Sequence, residues 1–256
     1  MLTDEQWVVL EPLVERCRPH AKVPPSNLRR TMSAILWRHA NGAKWRSIPA
    51  ELGPWWMAAQ IFIRCWARLG VWARLLLLAQ ERGVQLGMTF LDGTSVRAHH
   101  KAAGAGPKTA LRRAEAQVKR LAARVAAMAP RPAIADGAGR AIAFRLAPGP
   151  AHELPHAVPL LDTLPSVPRW VVADRGYSSH CFREHVWGMG ARPAIPTKKR
   201  EAPVACPGWV YSNRHRVENL WARLKEWRAV ATRYEKTARS FMSVLCLAAA
   251  LDWLRR

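Results

Sequence analysis

The stretch MTFLDG, residues 88–93, decides the fold of this chain. A short apolar run that ends in Asp-Gly is typical of a buried strand with an acidic side chain at its end. The stretch PRWVVAD, residues 168–174, repeats the same design. We therefore expect two strands that each present one aspartate, Asp92 and Asp174.

A third acid, Glu218, lies in the stretch YSNRHRVENLWARLK, residues 211–225. At roughly 100° per residue, Glu218 shares one face of a helix with three groups that bind phosphate. These groups are Tyr211, Arg214 and Lys225. The opposite face is apolar and contains Val217, Leu220, Leu224 and Trp227. Glu218 is thus expected to project from a buried core into a phosphate-binding surface.

Three carboxylates on separate elements suit two hard divalent cations, because such ions need oxygen ligands from several directions. The two ions would lie about 4 Å apart, with Asp92 as the shared ligand. One ion would activate the attacking water or 3′-hydroxyl, and the other would stabilise the leaving oxygen. Arg214 and Lys225 are expected to hold the phosphates.

The rest of the C-terminal part alternates strands with helices, which indicates an α/β layer. Further strands are predicted at residues 141–146 and 191–195. Helices are predicted at residues 157–164, 179–189 and 236–254. The last of these helices is mostly apolar and is expected to pack on the sheet.

The N-terminal part, residues 1–85, has the pattern of several short helices joined by tight turns. Thr3 and Gln6 form a capping-box pattern that starts a helix at Asp4. Further helices are predicted at residues 28–40, 54–69 and 71–82. We interpret this part as a helix-turn-helix-like DNA-binding domain, with a helical dimerisation or packing domain as the alternative. Its candidate DNA contacts are Arg29, Arg30, Lys44 and Arg46.

The composition indicates a nucleic-acid partner. The chain has 256 residues, 50% of them hydrophobic, and can bury a large core. Its 40 Lys and Arg residues outnumber 18 Asp and Glu residues, which gives a net charge of +22. Thirteen Trp residues argue against an unfolded basic chain or a histone-like tail. A structural RNA-binding protein that uses only the basic surface is a remoter possibility.

Cysteine use and hydropathy predict an intracellular protein. The five Cys residues are odd in number, far apart and without a CxxC pair, which favours reduced thiols over disulfides or a zinc site. The N-terminus lacks the features of a signal peptide. Apolar runs at residues 71–79 and 241–251 are shorter than the ~20 residues that span a bilayer. We therefore expect a soluble, cytoplasmic protein.

One sequence pattern resembles a known family. The spacing Y-x2-R-x3-E-x6-K is met by Tyr211, Arg214, Glu218 and Lys225. Together with LDGTSVRAHHKAAGA at 91–105 and VVADRGYSSH at 171–180, this pattern resembles the DDE transposases of bacterial insertion sequences, and the insertion-sequence-five family most closely. The N-terminal stretches LTDEQW, AILWRHANGAKWRSIP and LGPWWMAAQIFIRCWARLGVW are similar to the same family, so the likeness covers nearly the whole chain.

The resemblance implies an RNase H-like catalytic domain at residues 86–256, with a mixed sheet flanked by helices. It implies Mg²⁺-dependent cleavage at the terminal inverted repeats of a mobile element, followed by strand transfer in cut-and-paste transposition. Asp92, Asp174 and Glu218 would bind two Mg²⁺ ions, for which Mn²⁺ can substitute. The implied partner is double-stranded DNA, both element ends and target, bound by a homodimer or larger assembly without a membrane. The implied location is the bacterial nucleoid.

The candidate DNA-binding residues of this predicted catalytic domain lie in three places. Tyr211, Arg214 and Lys225 belong to the spaced pattern, Arg97 follows Asp92, and the basic loop after the strand at 191–195 contains Lys198, Lys199 and Arg200.

Residues 106–133 depart from the family pattern. The segment is rich in Ala and Arg, and its apolar spacing predicts a basic helix at about residues 108–128. The family pattern instead has a Gly-rich loop and a strand beside the one that ends at Asp92. Our hypothesis is a pair of compensating frameshifts, or a reading error, in the parent gene, which would damage the sheet beside the site. A catalytically impaired, transposase-derived DNA-binding protein is therefore the alternative function.

The letters HELPH at residues 152–156 match the HExxH motif of zinc proteases. That motif needs one continuous helix, and Pro155 inside it argues against such a helix. We therefore interpret this stretch as unrelated to zinc.

Overall fold

The computed structural model describes residues 2–20, 27–99, 102, 128–147 and 152–255. These residues divide into two compact units. Unit 1 takes those within Met1–Arg82, Ala98–Ala105 and Leu224–Arg256, and unit 2 takes those within Gly83–Arg97 and Gly106–Arg223.

Helices form most of unit 1, and unit 2 combines strands with helices. The helices are α1 Asp4–Cys17, α2 Leu28–Asn41, α3 Trp55–Ala59, α4 Val71–Gln80, α5 Leu154–Leu161, α6 His180–Gly188, α7 Gly208–Tyr211, α8 His215–Lys225, α9 Arg228–Ala231 and α10 Ala238–Leu254. The strands are β1 Met88–Ala98, β2 Met128–Ala135, β3 Ala141–Phe144, β4 Trp170–Ala173, β5 Arg192–Ala194 and β6 Thr232–Arg233. Short 3-10 turns occur at Trp45–Ser47, Ala50–Leu52, Arg175–Tyr177 and Ser212–Arg214, and Gln60–Trp66 is π-helical. No helix in the described ranges is long and apolar enough to cross a membrane.

Unit 1 begins with the predicted capping box. The Thr3 hydroxyl accepts a hydrogen bond from the Gln6 backbone N–H at 3.2 Å, and the Gln6 side chain accepts one from the Thr3 N–H at 3.2 Å. Two of the free N–H groups at the start of α1 are thereby satisfied. The predicted start of this helix at Asp4 is confirmed.

The C-terminal helix α10, which the sequence predicted to pack on the sheet, packs with α4 in unit 1. Its residues Phe241, Val244, Leu247 and Trp253 are all fully buried. A helix that is apolar on nearly every side needs neighbours all round. The helices of unit 1 supply them, so the stretch from Leu224 onward belongs to unit 1 rather than to the unit that contains the sheet.

A buried polar cluster joins α2 to the segment before α10 in unit 1. The Arg38 guanidinium donates to the Glu235 carboxylate, and both side chains are about 95% buried. Beside them lies His39, which is fully buried against Trp45 and Phe62. Burial and the positive charge of Arg38 hold the pKa of His39 well below its usual range.

The five strands of unit 2 form one mixed sheet in the order β3-β2-β1-β4-β5. The β3, β2 and β1 strands pair antiparallel, whereas β1, β4 and β5 pair parallel. This combination of order and direction is that of an RNase H-like sheet. The predicted fold class is therefore confirmed.

Strand β1 is longer than its sequence predicted, so Asp92 lies within the strand and not at its end. The parallel pairing with β4 stops at Leu91 and Ala173, whereas the antiparallel pairing with β2 continues to Arg97. The strand extends because β2 offers backbone partners beyond the point where β4 ends. Asp92 therefore still marks the carboxyl end of the parallel pair, one position past Leu91.

Part of the atypical segment is a strand and not a helix. Residues 128–133, which the sequence assigned to the basic helical segment, belong to β2 and pair with β1. Pro130 and Pro132 cannot continue a helix, and they lie beyond the part of β2 that β3 covers, where missing N–H groups are tolerated. Beside Asp92, the described residues of β2 pair with β1 in continuous register, whereas the sequence predicted a damaged sheet at this place. The rest of the predicted helix lies outside the described residues.

Helices cover both faces of the sheet. On one face, Leu91 and Val171 pack with side chains of α5 and α6, including Leu160 and Val186. On the other face, Trp221 of α8 lies against Phe144 of β3, with ring centroids 5.9 Å apart. Because side chains alternate along a strand, Asp92 faces the side opposite to Leu91 and Gly93.

Candidate active site

Arg214 brings two of the predicted acids together. Its guanidinium donates to Asp92 Oδ1 at 2.9 Å and to Glu218 Oε1 at 2.5 Å. Asp92 and Arg214 are separated by 122 residues in the sequence. Asp92 is largely buried, whereas the Glu218 side chain is half exposed. A single positive group thus holds a strand carboxylate and a helix carboxylate at one place.

The stretch that supplies Arg214 and Glu218 follows a helical path, but it is not one continuous α-helix as predicted. Tyr211 ends α7, Arg214 ends a 3-10 turn, and Glu218 lies in the first turn of α8. The tighter turn interrupts the α-helical hydrogen bonds without leaving helical backbone angles. The Arg214 and Glu218 side chains still meet, because they remain four residues apart.

The predicted apolar face of this stretch is confirmed, since Val217, Leu220, Leu224 and Trp227 are all buried. Tyr211 and Lys225 are half exposed. Lys225, the last residue of α8, falls in unit 1 by the division of the chain.

Asp174 comes directly after β4, as the sequence predicted. Its Oδ1 accepts a hydrogen bond from the Gly176 N–H at 2.8 Å and so caps the 3-10 turn Arg175–Tyr177. The turn directs Tyr177 into the core, where the ring is fully buried. This bond fixes one oxygen of Asp174 at the end of the strand.

Glu153, which the sequence analysis did not single out as a site residue, is a fourth acid at the same end of the sheet. Its Oε2 accepts a hydrogen bond from the Tyr177 hydroxyl at 2.8 Å. Its carboxylate occupies the space where Gly93 would carry a Cβ, and such a Cβ would lie 1.8 Å from Glu153 Oε1. In the sequence, Glu153 is marked only by its position just before α5. The contact of Glu153 with Gly93 could therefore not be predicted.

The acids influence one another's ionisation. Burial, and to a smaller extent the charges of Glu153 and Asp174, raise the pKa of Asp92 to about 6, against the opposite effect of Arg214. Burial also raises the pKa of Glu153, and Asp174 adds to that increase. Negative charge is therefore concentrated around Asp92 with Arg214 as its cationic partner.

The acids of this place have the type of donor atom that a hard divalent cation prefers. Carboxylate oxygens are the ligands that Mg²⁺ and Mn²⁺ prefer, and Arg214 already occupies a position between two of them as a positive charge. The absence of a side chain at Gly93 leaves room for the carboxylate of Glu153. Among the described residues, however, no three His, Cys, Asp or Glu side chains converge closely enough to hold an ion.

Hydrogen bonds with Ser178 and Glu201 hold the basic loop after β5 near Asp174. Lys198 Nζ donates to the Ser178 carbonyl at 3.0 Å, and Glu201 accepts from the Lys198 N–H at 3.1 Å and from the Ser178 hydroxyl. Lys198, Lys199 and Arg200 are all exposed. Arg97 is exposed near the end of β1.

The four basic residues of unit 1 that the sequence predicted to contact DNA differ in their contacts within the unit. Arg29 is bound within the unit, to the Leu2 carbonyl and to Asp4, and Arg30 donates to the carbonyls of Ala50 and Glu51. Lys44 and Arg46 are exposed after α2, and the Arg46 guanidinium lies 5.4 Å from the Trp55 ring. Arg30, Lys44 and Arg46 are exposed, whereas Arg29 is half-buried.

The HELPH stretch adopts the local structure that its proline favours. Glu153 is the N-cap residue of α5, and Pro155 occupies the first turn, where a missing N–H costs nothing. His152 lies before the helix begins. The stretch therefore does not form the single helix that HExxH zinc sites require.

Three stretches of this chain match known protein families. Residues 86–205 and 171–255 each match a family described as "Transposase DDE domain". Residues 2–76 match a family assigned to transposases of the IS4/5 family. Together these matches extend over both units.

Individual relatives agree with the families. A Brucella ovis protein assigned as the transposase of insertion sequence element IS6501 is 32% identical over 125 residues, which are 48% of this chain and 95% of that protein. A Burkholderia cepacia protein of insertion element IS402 is 33% identical over 123 residues, which are 42% of this chain and 78% of that protein. The piggyBac transposase, solved by cryo-EM in a synaptic complex with hairpin DNA, has a TM-score of 0.39 and 7% identity over 80% of this chain. This chain spans half the length of the piggyBac chain.

Proposed function

The chain belongs to the DDE transposases of insertion sequences, and from that premise we propose that it cuts the ends of a mobile DNA element and joins them to target DNA. The family implies divalent-metal use. The observation that carries the proposal is the contact of Arg214 with both Asp92 and Glu218. This contact supports the proposal because it joins the first and third acids of the family pattern, and Asp92 is next to the end of the parallel strand pair.

In the proposed reaction, Asp92, Asp174 and Glu218 would hold the divalent cations, with Mg²⁺ as the natural ion and Mn²⁺ as a substitute. When bound, such ions activate the attacking oxygen and stabilise the leaving oxygen at phosphorus. Hydrolysis at an element end breaks one P–O bond and releases a 3′-hydroxyl. In strand transfer that hydroxyl attacks a target phosphate and displaces a target 3′-oxygen, so no further source of energy is required.

The residues around the acids would bind and orient the DNA. Arg214 can offer a planar set of donors to a phosphate while it keeps Glu218 in place. Lys198, Lys199 and Arg200 are exposed on the loop near Asp174 and would hold the backbone. The proposed partner is double-stranded DNA, because a net charge of +22 is matched to a polyanion.

The deciding experiment is cleavage of duplex DNA that carries the element's own ends, with and without Mg²⁺. We expect the native chain to cut at the ends, and Asp92→Asn, Asp174→Asn and Glu218→Gln to lose the activity. Glu184→Gln, on the exposed side of α6, is the matched control and should cut like the native chain.

If folded native protein binds these ends without cutting them under any Mg²⁺ or Mn²⁺ condition, the enzyme proposal is wrong. The chain would then be the catalytically impaired DNA-binding protein that its sequence left as the alternative.

A further inference from the structure

We propose that the helical stretch of residues 55–69 is the part of unit 1 that reads DNA sequence, with Gln60 and Arg64 directed at base edges in the major groove. The stretch contains α3, the π-helical segment and the turn that follows, and it is called the 55–69 helix below. The inference rests on the proposed function, which supplies duplex DNA as the partner. It adds the residues that would recognise base pairs.

The 55–69 helix has one buried and one exposed face. The buried face consists of Ala58, Phe62 and Trp66, and the exposed face consists of Trp56, Gln60, Arg64 and Arg68. At roughly 100° per residue, side chains four apart drift by about 40° around an α-helix. The π-helical segment turns less per residue, because its hydrogen bonds span five residues, and it offsets this drift. The exposed side chains therefore stay in line.

The buried face fixes the 55–69 helix on the aromatic core of unit 1. The Phe62 ring centroid lies 4.2 Å from that of His39 in α2 and 5.1 Å from that of Trp72 in α4. The Trp66 ring also lies 5.1 Å from Trp72. Recognition is most precise when the side chains involved project from such a rigid element.

The polar groups of the exposed face are available to a ligand. The side chains of Gln60, Arg64 and Arg68 make no hydrogen bond or ion pair with any residue that the structure describes. By contrast, the exposed Arg16 of α1 pairs with Glu81 at 2.9 Å. Two guanidinium groups and one carboxamide thus line a single face with all their donors free.

The chemistry of this face matches the major groove. Residues 52–80 contain no acid, so no carboxylate on the 55–69 helix would repel phosphate. A guanidinium such as that of Arg64 can donate two hydrogen bonds to guanine O6 and N7, and a carboxamide such as that of Gln60 pairs with adenine N6 and N7. Trp56, which is 54% exposed, offers apolar surface to a thymine methyl group. A helix about 10–12 Å wide fits a groove about 12 Å wide.

Further cations lie at both ends of the 55–69 helix. At its beginning, the turn Trp45–Ser47 packs against α3, and the Arg46 guanidinium lies 5.4 Å from the Trp55 ring. The exposed Lys44 directly precedes this turn, and Arg68 is near the other end of the helix. Cations at the two ends can hold phosphates while the middle of the helix faces the bases.

The other long helices of unit 1 fit the groove less well. The α1 helix exposes four acids, which are Asp4, Glu5, Glu11 and Glu15. In α2, Arg29 and Arg30 donate to backbone carbonyls, and in α4 Arg74 does the same. The α10 helix is buried over most of its length. Among the described helices of this unit, the 55–69 helix therefore has the surface most suited to base recognition.

The test selects binding sites for the full chain from a pool of random duplexes and determines the preferred base at each position by sequencing. Arg64→Lys keeps the charge but loses the planar fork, so preference at one base pair should fall roughly 5- to 150-fold, with affinity for random duplex unchanged. Gln60→Ala should relax the preference at a neighbouring position. Arg16→Lys is the matched control and should select the native site. Native preference in both Arg64→Lys and Gln60→Ala would overturn the inference.

A measurement on the native chain covers the case in which these variants do not fold. Thymines of the selected site are replaced by 5-bromouracil, whose bromine lies in the major groove, and near-ultraviolet light couples it to a neighbouring aromatic side chain. We expect a cross-link at Trp56. Cross-links that form only outside residues 55–69 would overturn the inference.

The outcomes also separate this inference from the proposed function. A chain that cuts element ends, but whose Arg64→Lys and Gln60→Ala variants keep native base preference, contradicts the inference alone. A chain that selects a sequence through these residues and cuts no DNA contradicts the enzyme proposal alone. If Arg64→Lys and Arg68→Ala change the oligomeric state in sedimentation and leave DNA binding native, the exposed face contacts a second copy of the chain, and the inference is wrong.

Discussion

At the scale of single residues, the side chain of Arg214 holds together two acids from different elements. Its guanidinium contacts Asp92 from β1 and Glu218 from α8, and its Nε is buried without a hydrogen-bond partner in the described structure. A rigid fork of donors can hold two carboxylates in a way that a lysine cannot. Arg214 is therefore the group that holds the two acids together, and in the proposed function it also binds phosphate.

Replacing Arg214 with Ala should lower end cleavage by roughly 10²- to 10³-fold, the range seen when one donor to a reacting centre is removed. The loss follows because Glu218 is no longer tied to Asp92 and because the phosphate loses a bidentate partner. Single-turnover cleavage at saturating protein is the measurement. Arg169→Ala, at an exposed position just before β4, makes the same substitution away from the acids and should cut normally. Equal rates for the two variants would contradict the role given to Arg214.

His39 makes the stability of unit 1 depend on pH. The pKa of His39 in the folded chain lies well below its ordinary value of 6.5. As the pH falls below 6.5, His39 of the unfolded chain therefore binds a proton, whereas His39 of the folded chain does not. The free energy of unfolding is therefore unaffected by His39 above 6.5 and falls by up to about 1.4 kcal/mol per pH unit below it.

Urea unfolding between pH 5.0 and 7.5 checks this prediction. His39→Phe keeps the packing against Phe62 and should remove that part of the pH dependence. His20→Phe, at an exposed position, should leave it unchanged. An unaltered pH dependence in His39→Phe would show that other groups cause it.

At the scale of elements, the ends of the helices decide where the chain can turn. Gly42 ends α2 and Gly70 precedes α4, and both have left-handed backbone angles, with φ of 59° and 69°. They differ in their surroundings. A Cβ on Gly42 would lie 2.9 Å from atoms of Arg228 and Tyr234, whereas nothing lies within 4 Å of one on Gly70.

Both glycines should be replaced by Ala and the free energy of unfolding measured. Gly70→Ala should cost only the backbone conformation, about 1 to 2 kcal/mol. Gly42→Ala should cost at least about 1 kcal/mol more, because the methyl group meets its neighbours as well. If the two variants are equally stable, the close approach of α2 to the segment around Arg228 is looser than described.

At the scale of the whole molecule, the excess of positive charge should govern the proposed association with DNA. A net charge of +22 should make binding steeply dependent on salt, since each phosphate contact releases condensed counterions. The exposed loop residues Lys199 and Arg200 carry no carboxylate contact in the described structure. By contrast, Arg16 and Arg18 each pair with a glutamate.

These two pairs of residues permit a matched comparison. Lys199→Ala with Arg200→Ala should reduce the slope of log affinity against log salt by about 2, because each contact on duplex DNA contributes about 0.9. Arg16→Ala with Arg18→Ala removes the same charge but should alter the slope much less. Fluorescence anisotropy with labelled duplex from 50 to 300 mM salt measures both. Equal slopes for the two double variants would mean that net charge alone matters, and not the loop.

Much of this organisation could be predicted, because local patterns carry it. The capping box at Thr3, the glycine that ends α2, the buried strand before Asp174 and the apolar face around Leu220 all follow from periodicity and turn chemistry. Predictions were wrong where contacts with residues far away in the sequence decided the structure of a segment. Strand β1 runs past Asp92 because β2 pairs with it.

The sequence by itself determined the family and the mixed sheet, because a spaced motif and a period of hydrophobic residues can be recognised along the chain. The role of the three acids is still a prediction. Only the tertiary structure decided that α10 belongs with the N-terminal helices and that Glu153 lies against Gly93. The reason is physical. Which apolar face meets which, and which carboxylate fills the space beside a glycine, depend on packing between segments far apart in sequence, and no local pattern records them.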